Sequence, residues 1–429
     1  MVKAIFVFSQ THTDFRIAEF EAVCEIFTIN VDLSPLNAEN HICVLEFSTI
    51  DDVHKILSRC VLVKFAVEYF AEGQSYEQLY QEIEDKKLLK NFDNVDDSFA
   101  IRVFAIGRKK RLDLVEKVKT FLDNVTFTQS PVNLRTPKNE FYLVEEYEKP
   151  IDNDPSQVYF GKFIGDGQYL LKTRYNLKDR CYIGNTTMDP ELAFLQANIS
   201  RVSPGEIVLD PFVGTGGLIL SAAEFGGLVV GMEINYQTAN AIGKSSRKGV
   251  GTRGDDESIQ ANFEQQGTQD RLLSIIIGDS SKHEIWSRNS RFDVIVADPP
   301  YGVREKGRKV GKNLKSHREN AQVVRFPQKQ EYDLEKVYCD LLNLAAKICA
   351  IGGRVSFWYP VILEIYSDEN LPKHPAMKLI ANCEQTLTRN TSRRLLTYKK
   401  LRNPEEYEIA EILKTGVSKY RSTLFKSKN

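Results

Sequence analysis

Nothing in this sequence is organised around cysteine. Its seven cysteines, Cys24, Cys43, Cys60, Cys181, Cys339, Cys349 and Cys383, are odd in number and never spaced as Cys-x-x-Cys. That excludes a disulfide-stapled scaffold and a thiolate zinc ribbon; reduced, mostly buried thiols are expected. The six histidines are equally dispersed, so no metal site is expected. An excess of one charge is missing too. Lys and Arg number 57 against 58 Asp and Glu, a formal −1, unlike the strongly basic balance of an indiscriminate nucleic-acid binder. No apolar run approaches the length of a membrane span, and no secretory signal precedes the cysteines. The expectation is a cytoplasmic protein, long enough at 429 residues for two or three domains.

What is present is most telling at Asp298-Pro299-Pro300-Tyr301, which closes the apolar run Phe292 to Ala297. A short β-branched run stopped by two prolines reads as a buried strand leaving its sheet in a rigid, extended turn. A carboxylate, proline carbonyls and an aromatic ring are thereby held at a strand's carboxyl end, where open α/β sheets bind ligands. These groups suit an exocyclic aromatic amine: Asp298 and a proline carbonyl accept its two N–H bonds while Tyr301 stacks on the ring. The bland alternative is a polar turn with no chemistry.

A second motif asks for the same fold. Glu206 to Asp210 reads as a strand, and Pro211-Phe212-Val213-Gly214-Thr215-Gly216-Gly217 as a glycine turn opening a helix over Leu218 to Phe225. The next strand, Leu228 to Ile234, carries Glu233, roughly 20 residues past the turn, where an acidic group accepts from ribose hydroxyls. A third strand, Leu272 to Ile277, ends at Asp279, a candidate acceptor for an adenine amino group. A helix near Leu334 to Ala350 and a fifth strand from Gly353 to Tyr359 follow. Repeated βα units with apolar strands predict a mostly parallel, doubly wound Rossmann-like sheet.

This order of motifs resembles the class I S-adenosylmethionine-dependent methyltransferases, and among them those that methylate exocyclic amines. The resemblance implies S-adenosylmethionine as cofactor, held by Asp210, Pro211, Phe212, Gly214, Gly216, Glu233 and Asp279, with Asp298 to Tyr301 catalytic. Asp298 is then the natural acceptor of the amine's proton. A dinucleotide-binding oxidoreductase lacks its third glycine here and leaves Asp298 to Tyr301 unexplained.

Residues 1–150 must do something else. Ala4 to Phe8 reads as a strand, and Asp14 to Phe27 as a helix with Phe15, Ala18, Ala22 and Ile26 near one face. Strands at His41 to Phe47 and Ser98 to Gly107 follow, separated by apolar stretches from Val53 to Phe70. Basic Arg108-Lys109-Lys110-Arg111 comes next, then a helix over Leu112 to Leu122 and a proline turn, Val132 to Pro137, entering a strand. This part resembles the THUMP domain, an α+β RNA-binding module of tRNA-modifying enzymes, which makes Arg108 to Arg111 candidate phosphate contacts. Proline and acidic residues from Glu148 to Gln157 suggest a linker, giving 1–150 as the N-terminal region, 151–180 as lead-in and 181–429 as the methyltransferase domain.

With His12-x-x-Phe15-Arg16-x-x-Glu19, Tyr182-x-Gly184-Asn185-Thr186-x-Met188-Asp189 and Ser392-Arg393-Arg394-Leu395-Leu396, the chain resembles the eukaryotic-type tRNA guanine-N2 methyltransferases acting at position 10 of tRNA, as the catalytic subunit. That resemblance implies tRNA as substrate and adds Thr186 at the methionine end of the cofactor. It also implies a small zinc-binding activator subunit, forming a heterodimer by strand addition along the third strand, which lies at a sheet edge in this class. The stretch from Val303 to Gln330 is rich in Arg and Lys, Arg304 and Arg308 included, and reads as a basic loop beside the catalytic turn. A second positive stretch, from Arg389 to Lys400, reads as half solvated. An adenine-N6 methyltransferase and an inactive RNA-binding scaffold remain the alternatives.

Overall fold

The computed structural model describes residues 1–108, 113–287, 289–303, 305, 307–311, 329–411 and 419–426. They divide into two compact units, Met1–Ile17 with Phe27–Tyr169 and Ala18–Ile26 with Leu170–Asn429.

The first unit is built on a six-stranded sheet. Its elements are β1 (Val2–Phe8), α1 (Arg16–Phe27, shared between the units), β2 (Ile42–Phe47), α2 (Ile50–Leu57), β3 (Val63–Gly73), α3 (Tyr76–Asp85), β4 (Phe99–Ile106), α4 (Leu114–Asn124), β5 (Asn139–Glu146) and β6 (Gln157–Asp166). The sheet order is β2-β1-β3-β6-β5-β4, and only β4 and β5 run parallel. The apolar stretch from Val53 to Phe70 therefore hides two elements, separated by a turn at Ser58 to Leu62. A capping box at Thr49 and Asp52 starts α2. The presumed linker is different again: its prolines and acidic residues form a loop, after which β6 pairs with β3 on one side and β5 on the other. The unit thus runs to Tyr169, not to 150.

A buried carboxylate ties its helices down. Glu145 is fully buried on β5 and accepts from Tyr76 Oη of α3 and Lys117 Nζ of α4, both at 2.6 Å, and from Tyr147 Oη at 3.0 Å. The first motif near the amino terminus is also structural. Arg16, 1% exposed, donates to the carbonyls of Ser9, Ala38 and Asn40 and lies over the Phe8 ring, clamping the loop before β2.

In the second unit, a one-turn α5 (Leu171–Arg174) and α6 (Pro190–Ile199) precede β7 (Ile207–Asp210), α7 (Gly217–Glu224), β8 (Leu228–Glu233), a one-turn α8 (Tyr236–Ala239), α9 (Ile259–Gln266), β9 (Leu272–Ile277) and β10 (Phe292–Ala297). A short hairpin of β11 (Arg308–Val310) and β12 (Lys329–Glu331) follows, then α10 (Leu334–Ile348), β13 (Cys349–Ile362), β14 (Met377–Thr386), β15 (Thr391–Lys400) and α11 (Tyr420–Lys426). The sheet order is β14-β15-β13-β10-β7-β8-β9. Five strands are parallel, as expected of a Rossmann-like sheet; β15 is antiparallel to both its neighbours. Strand β9 lies at the sheet's edge, with Leu273 and Ile277 about half exposed.

Helix α1 does not present the single apolar face its periodicity suggests. Ala18 and Ile26 are only half-buried, whereas Arg16, Glu19, Phe20, Val23 and Cys24 are buried. The reason is that Ala18–Ile26 serve the second unit. There Glu19 accepts from Asn198 at 2.7 Å and Glu25 pairs with Arg354 at 2.5 Å. Glu19 and Arg354 are buried and need partners, and each has one; Glu25 itself is exposed. No helix among the described residues is long and apolar enough to cross a membrane.

Candidate active site

Four neighbouring strands, β10, β7, β8 and β9, end in carboxylates on one rim of the sheet. Parallel alignment puts Asp210 (β7), Glu233 (β8) and Asp279 (just after β9) in a row, with Asp298 just beyond β10. The chain order reverses between β7 and β10, the switch point at which doubly wound sheets hold ligands.

The glycine turn is shaped by its own carboxylates. Asp210, 1% exposed, accepts from the Phe212 amide at 2.9 Å; burial raises its pKa well above the ordinary value, and the charges of Asp298 and Glu233 add to this. Gly214 and Gly216 sit at φ 52° and 85°, a left-handed conformation that disfavours side chains. Helix α7 starts immediately after, so its free N–H groups face the turn. Glu233 accepts from Gly214 N at 3.0 Å and Asn235 N at 2.7 Å, and burial raises its pKa. Asp279 accepts from Ser281 N and Oγ on one oxygen and from Val310 N, at 2.7 Å, on the other. The hairpin after the Asp298–Tyr301 turn thus reaches back to this acid. Each carboxylate oxygen has two lone pairs, so both acids retain acceptor capacity.

Pro211 is buried and Phe212 packs on the central core; both shape the turn. Thr186 Oγ1 meets Glu305 at 3.3 Å. The threonine that touches the glycine turn is its neighbour, Thr187, bonded to Thr215 Oγ1 at 2.8 Å and to Gly184 N at 2.7 Å.

Past Ala297 the chain turns through Asp298, Pro299, Pro300 and Tyr301 to Gly302 at φ 74°. The Tyr301 hydroxyl donates to Asp298 Oδ1. Burial pushes the Asp298 carboxyl up to about 6, partly offset by Arg393 and the Tyr301 hydrogen bond. Burial likewise raises Tyr301 well above its ordinary value, with the Asp298 charge adding to it.

Three residues that the sequence does not place at this turn support it. Gln196 in α6 donates to the carbonyls of Ala297 (3.3 Å) and Ser356 (2.9 Å) and accepts from Trp358 Nε1 (2.8 Å). Arg393 lies over the Trp358 ring at 4.3 Å and reaches Tyr301 Oη at 3.4 Å. Tyr420 of α11, 1% exposed, meets the Tyr301 ring edge-on at 6.5 Å. The readable signal was Gln196 and Asn198 in the sequence of α6, whose ten residues are all buried.

The candidate RNA contacts fare differently. Arg108 lies over Tyr147 and donates to its hydroxyl (3.0 Å) and to Asn153 O (3.1 Å). Arg308 is exposed on β11. Lys109, Lys110, Arg111 and Arg304, with most of the basic stretch after the catalytic turn, lie outside the described residues. In the positive stretch from Arg389 to Lys400, Arg389 is exposed, Arg393, Arg394 and Lys399 are half-buried and Lys400 is buried. Arg394 pairs with Glu384, and Lys400, 1% exposed, donates to Cys349 O.

The donor set fits a nucleoside with a cationic centre: acids at three strand ends and a glycine turn at a helix start. Replacing Glu233 with Ala should weaken cofactor binding by about 1.5–3 kcal/mol, roughly 10- to 100-fold in Kd by calorimetry. An unchanged Kd would remove Glu233 from the site.

Comparison with known proteins agrees in both halves. Residues 2–169 match the family described as the Tmrp11 THUMP N-terminal domain, and residues 178–326 match the RMKL-like methyltransferase domain. The Xenopus laevis protein named tRNA (guanine(10)-N(2))-methyltransferase TRMT11 is 34% identical over 96% of this chain and 87% of its own length. The Homo sapiens protein of that name is 35% identical over 94% and 90%. Among solved structures, TrmN from Thermus thermophilus is 16% identical, with a TM-score of 0.46 over 93% of this chain and 100% of its own. With a THUMP-type N-terminal domain, a methyltransferase domain and end-to-end identity of this order, the chain belongs to the TRMT11 family of tRNA (guanine(10)-N2)-methyltransferases.

Proposed function

We propose that this chain transfers a methyl group from S-adenosylmethionine to the exocyclic N2 amine of guanosine at position 10 of tRNA. The observation that carries the chemistry is Asp298 at the switch point of the sheet, with its acid strength weakened by burial to about 6. S-adenosylmethionine supplies a sulfonium methyl that is already electrophilic. Asp210, Glu233, Asp279 and the turn at Gly214 and Gly216 would hold it. The protein's task is alignment and proton handling. Asp298 and the Pro299 carbonyl accept the amine's two N–H bonds and turn its lone pair toward the methyl carbon. As the methyl group is transferred, the Asp298 carboxylate would take the amine's proton. Tyr301 supplies the stacking face.

The N-terminal unit, with Arg108 to Arg111, and the basic residues Arg304 and Arg308 contact tRNA phosphates in this reading. A small zinc-binding activator subunit adds a strand to β9, whose exposed Leu273 and Ile277 otherwise form an aggregation-prone edge. The resulting heterodimer works in the cytoplasm.

Methyl transfer from labelled S-adenosylmethionine to unmodified tRNA transcripts tests the reaction, with nucleoside mass spectrometry of the product. N2-methylguanosine that disappears when the guanine at position 10 is replaced is the expected result; N6-methyladenosine would overturn it. For the edge, Leu273→Lys should raise the solubility of the chain alone and weaken capture of the activator subunit. Active, soluble, monomeric chain without any partner would sink the heterodimer.

A further inference from the structure

Arg393 occupies an unusual place. It sits on β15, facing the loop after β10, and each part of its guanidinium is engaged. Nε donates to Gln385 Oε1 at 2.6 Å, Nη2 reaches Met188 Sδ at 3.4 Å and Nη1 reaches Tyr301 Oη at 3.4 Å. The plane rests on the Trp358 ring at 4.3 Å, an arrangement worth most where water is excluded. Trp358 is itself fully buried and pinned by Gln196, the residue that also holds the Ala297 carbonyl just before Asp298. The platform and the catalytic turn are therefore fixed by one side chain. No carboxylate pairs with this guanidinium among the described residues; the carboxylate whose charge acts on it is Asp298.

We propose that Arg393 is a positioning residue of the methyl-transfer site: seated on Trp358 and braced by Gln385, it orients the Tyr301 hydroxyl and keeps a positive charge beside the Asp298 carboxylate. The charge matters because, apart from the Tyr301 hydrogen bond, the other groups around Asp298 oppose ionisation or are neutral. Asp210 and Glu305 are acids, Tyr338 and Tyr420 are buried phenols, and Tyr301 is a half-buried one. Without Arg393, Asp298 would hold its proton to higher pH and be less able to take one from the amine.

This inference rests on Asp298 receiving the amine's proton. Its test is the pH profile of single-turnover methyl transfer by the full chain in its active form, comparing the parent with Arg393→Met and Arg393→Lys. Arg393→Met should lower kcat roughly 100-fold and move the acid limb of the profile upward by about one pH unit. KM for tRNA and cofactor affinity should stay within about twofold of the parent. Arg393→Lys restores the charge without the fork, so it should return the limb but only part of kcat. A folded Arg393→Met protein with an unmoved limb, or one that changes only KM for tRNA, overturns the proposal. If Arg393→Met does not fold, Gln385→Ala decides: freeing Nε should shift the limb in the same direction by less, and no shift overturns it. A parent profile with no acid limb would refute the role of Asp298 itself; Arg393 would then stand or fall on the split between kcat and KM.

Discussion

Replacing Asp298 with Asn should lower the rate of methyl transfer by roughly 100- to 10,000-fold while leaving cofactor affinity unchanged within about twofold. Asn keeps the shape and one acceptor oxygen but cannot take a proton at neutral pH. Asp210 and Glu233, the proposed holders of the cofactor, lie on other strands, so binding should survive. The pH dependence has a definite sign. Burial raises the Asp298 carboxyl to about 6, so the active, ionised form is lost as pH falls through that value. Parent activity should drop about tenfold per pH unit below 6, and the Asn variant should lack this limb. Single-turnover rates between pH 5 and 8 check both statements. A variant with more than a tenth of parent activity would mean that Asp298 only orients the amine.

The second large effect is on stability and lies in the other unit. Glu145→Ala should destabilise the N-terminal unit by about 3 kcal/mol, because it leaves the Lys117 ammonium and the hydroxyls of Tyr76 and Tyr147 without their shared acceptor. For a unit of this size the melting temperature should fall by roughly 6–12 °C. Glu145→Gln, which keeps an acceptor oxygen, should cost less. The same change loosens Tyr147, on which Arg108 rests, so tRNA affinity should weaken modestly even in the folded variant. A melting transition moved by less than 2 °C would show that the ammonium and phenols find other partners.

The strands that position the site were legible because buried parallel strands are apolar on both faces. Leu228 to Glu233 and Phe292 to Ala297 show this in their letters alone, and each is closed by a chemically distinctive residue. The carboxylates at their ends followed from the same reading. What could not be read was polar burial. Arg393, Arg394 and Lys400 look like solvated charge in a one-letter string, yet β15 turns them onto Trp358, Glu384 and the Cys349 carbonyl. Those partners lie 35, 10 and 51 residues away in sequence (393 to 358, 394 to 384, 400 to 349), and no local pattern encodes them. Strand β6 was hidden for a related reason. The proline and acidic residues before it signal a break in periodicity, but a break says nothing about whether the next strand joins the same sheet.

The shared helix α1 has a consequence for synthesis. Glu25 leaves the ribosome 329 residues before its partner Arg354. While the first unit can complete its sheet once β6 has emerged, Ala18–Ile26 must stay unsatisfied through most of translation. The closing of so long a loop is a late, entropically costly event. A polypeptide beginning at Leu170 would carry the whole seven-stranded sheet and still lack a helix that the second unit uses, leaving Arg354 and Asn198 without Glu25 and Glu19. The methyltransferase half is therefore finished by a segment made long before it, and an enzyme cut between its two family domains should fold poorly even though no strand is missing.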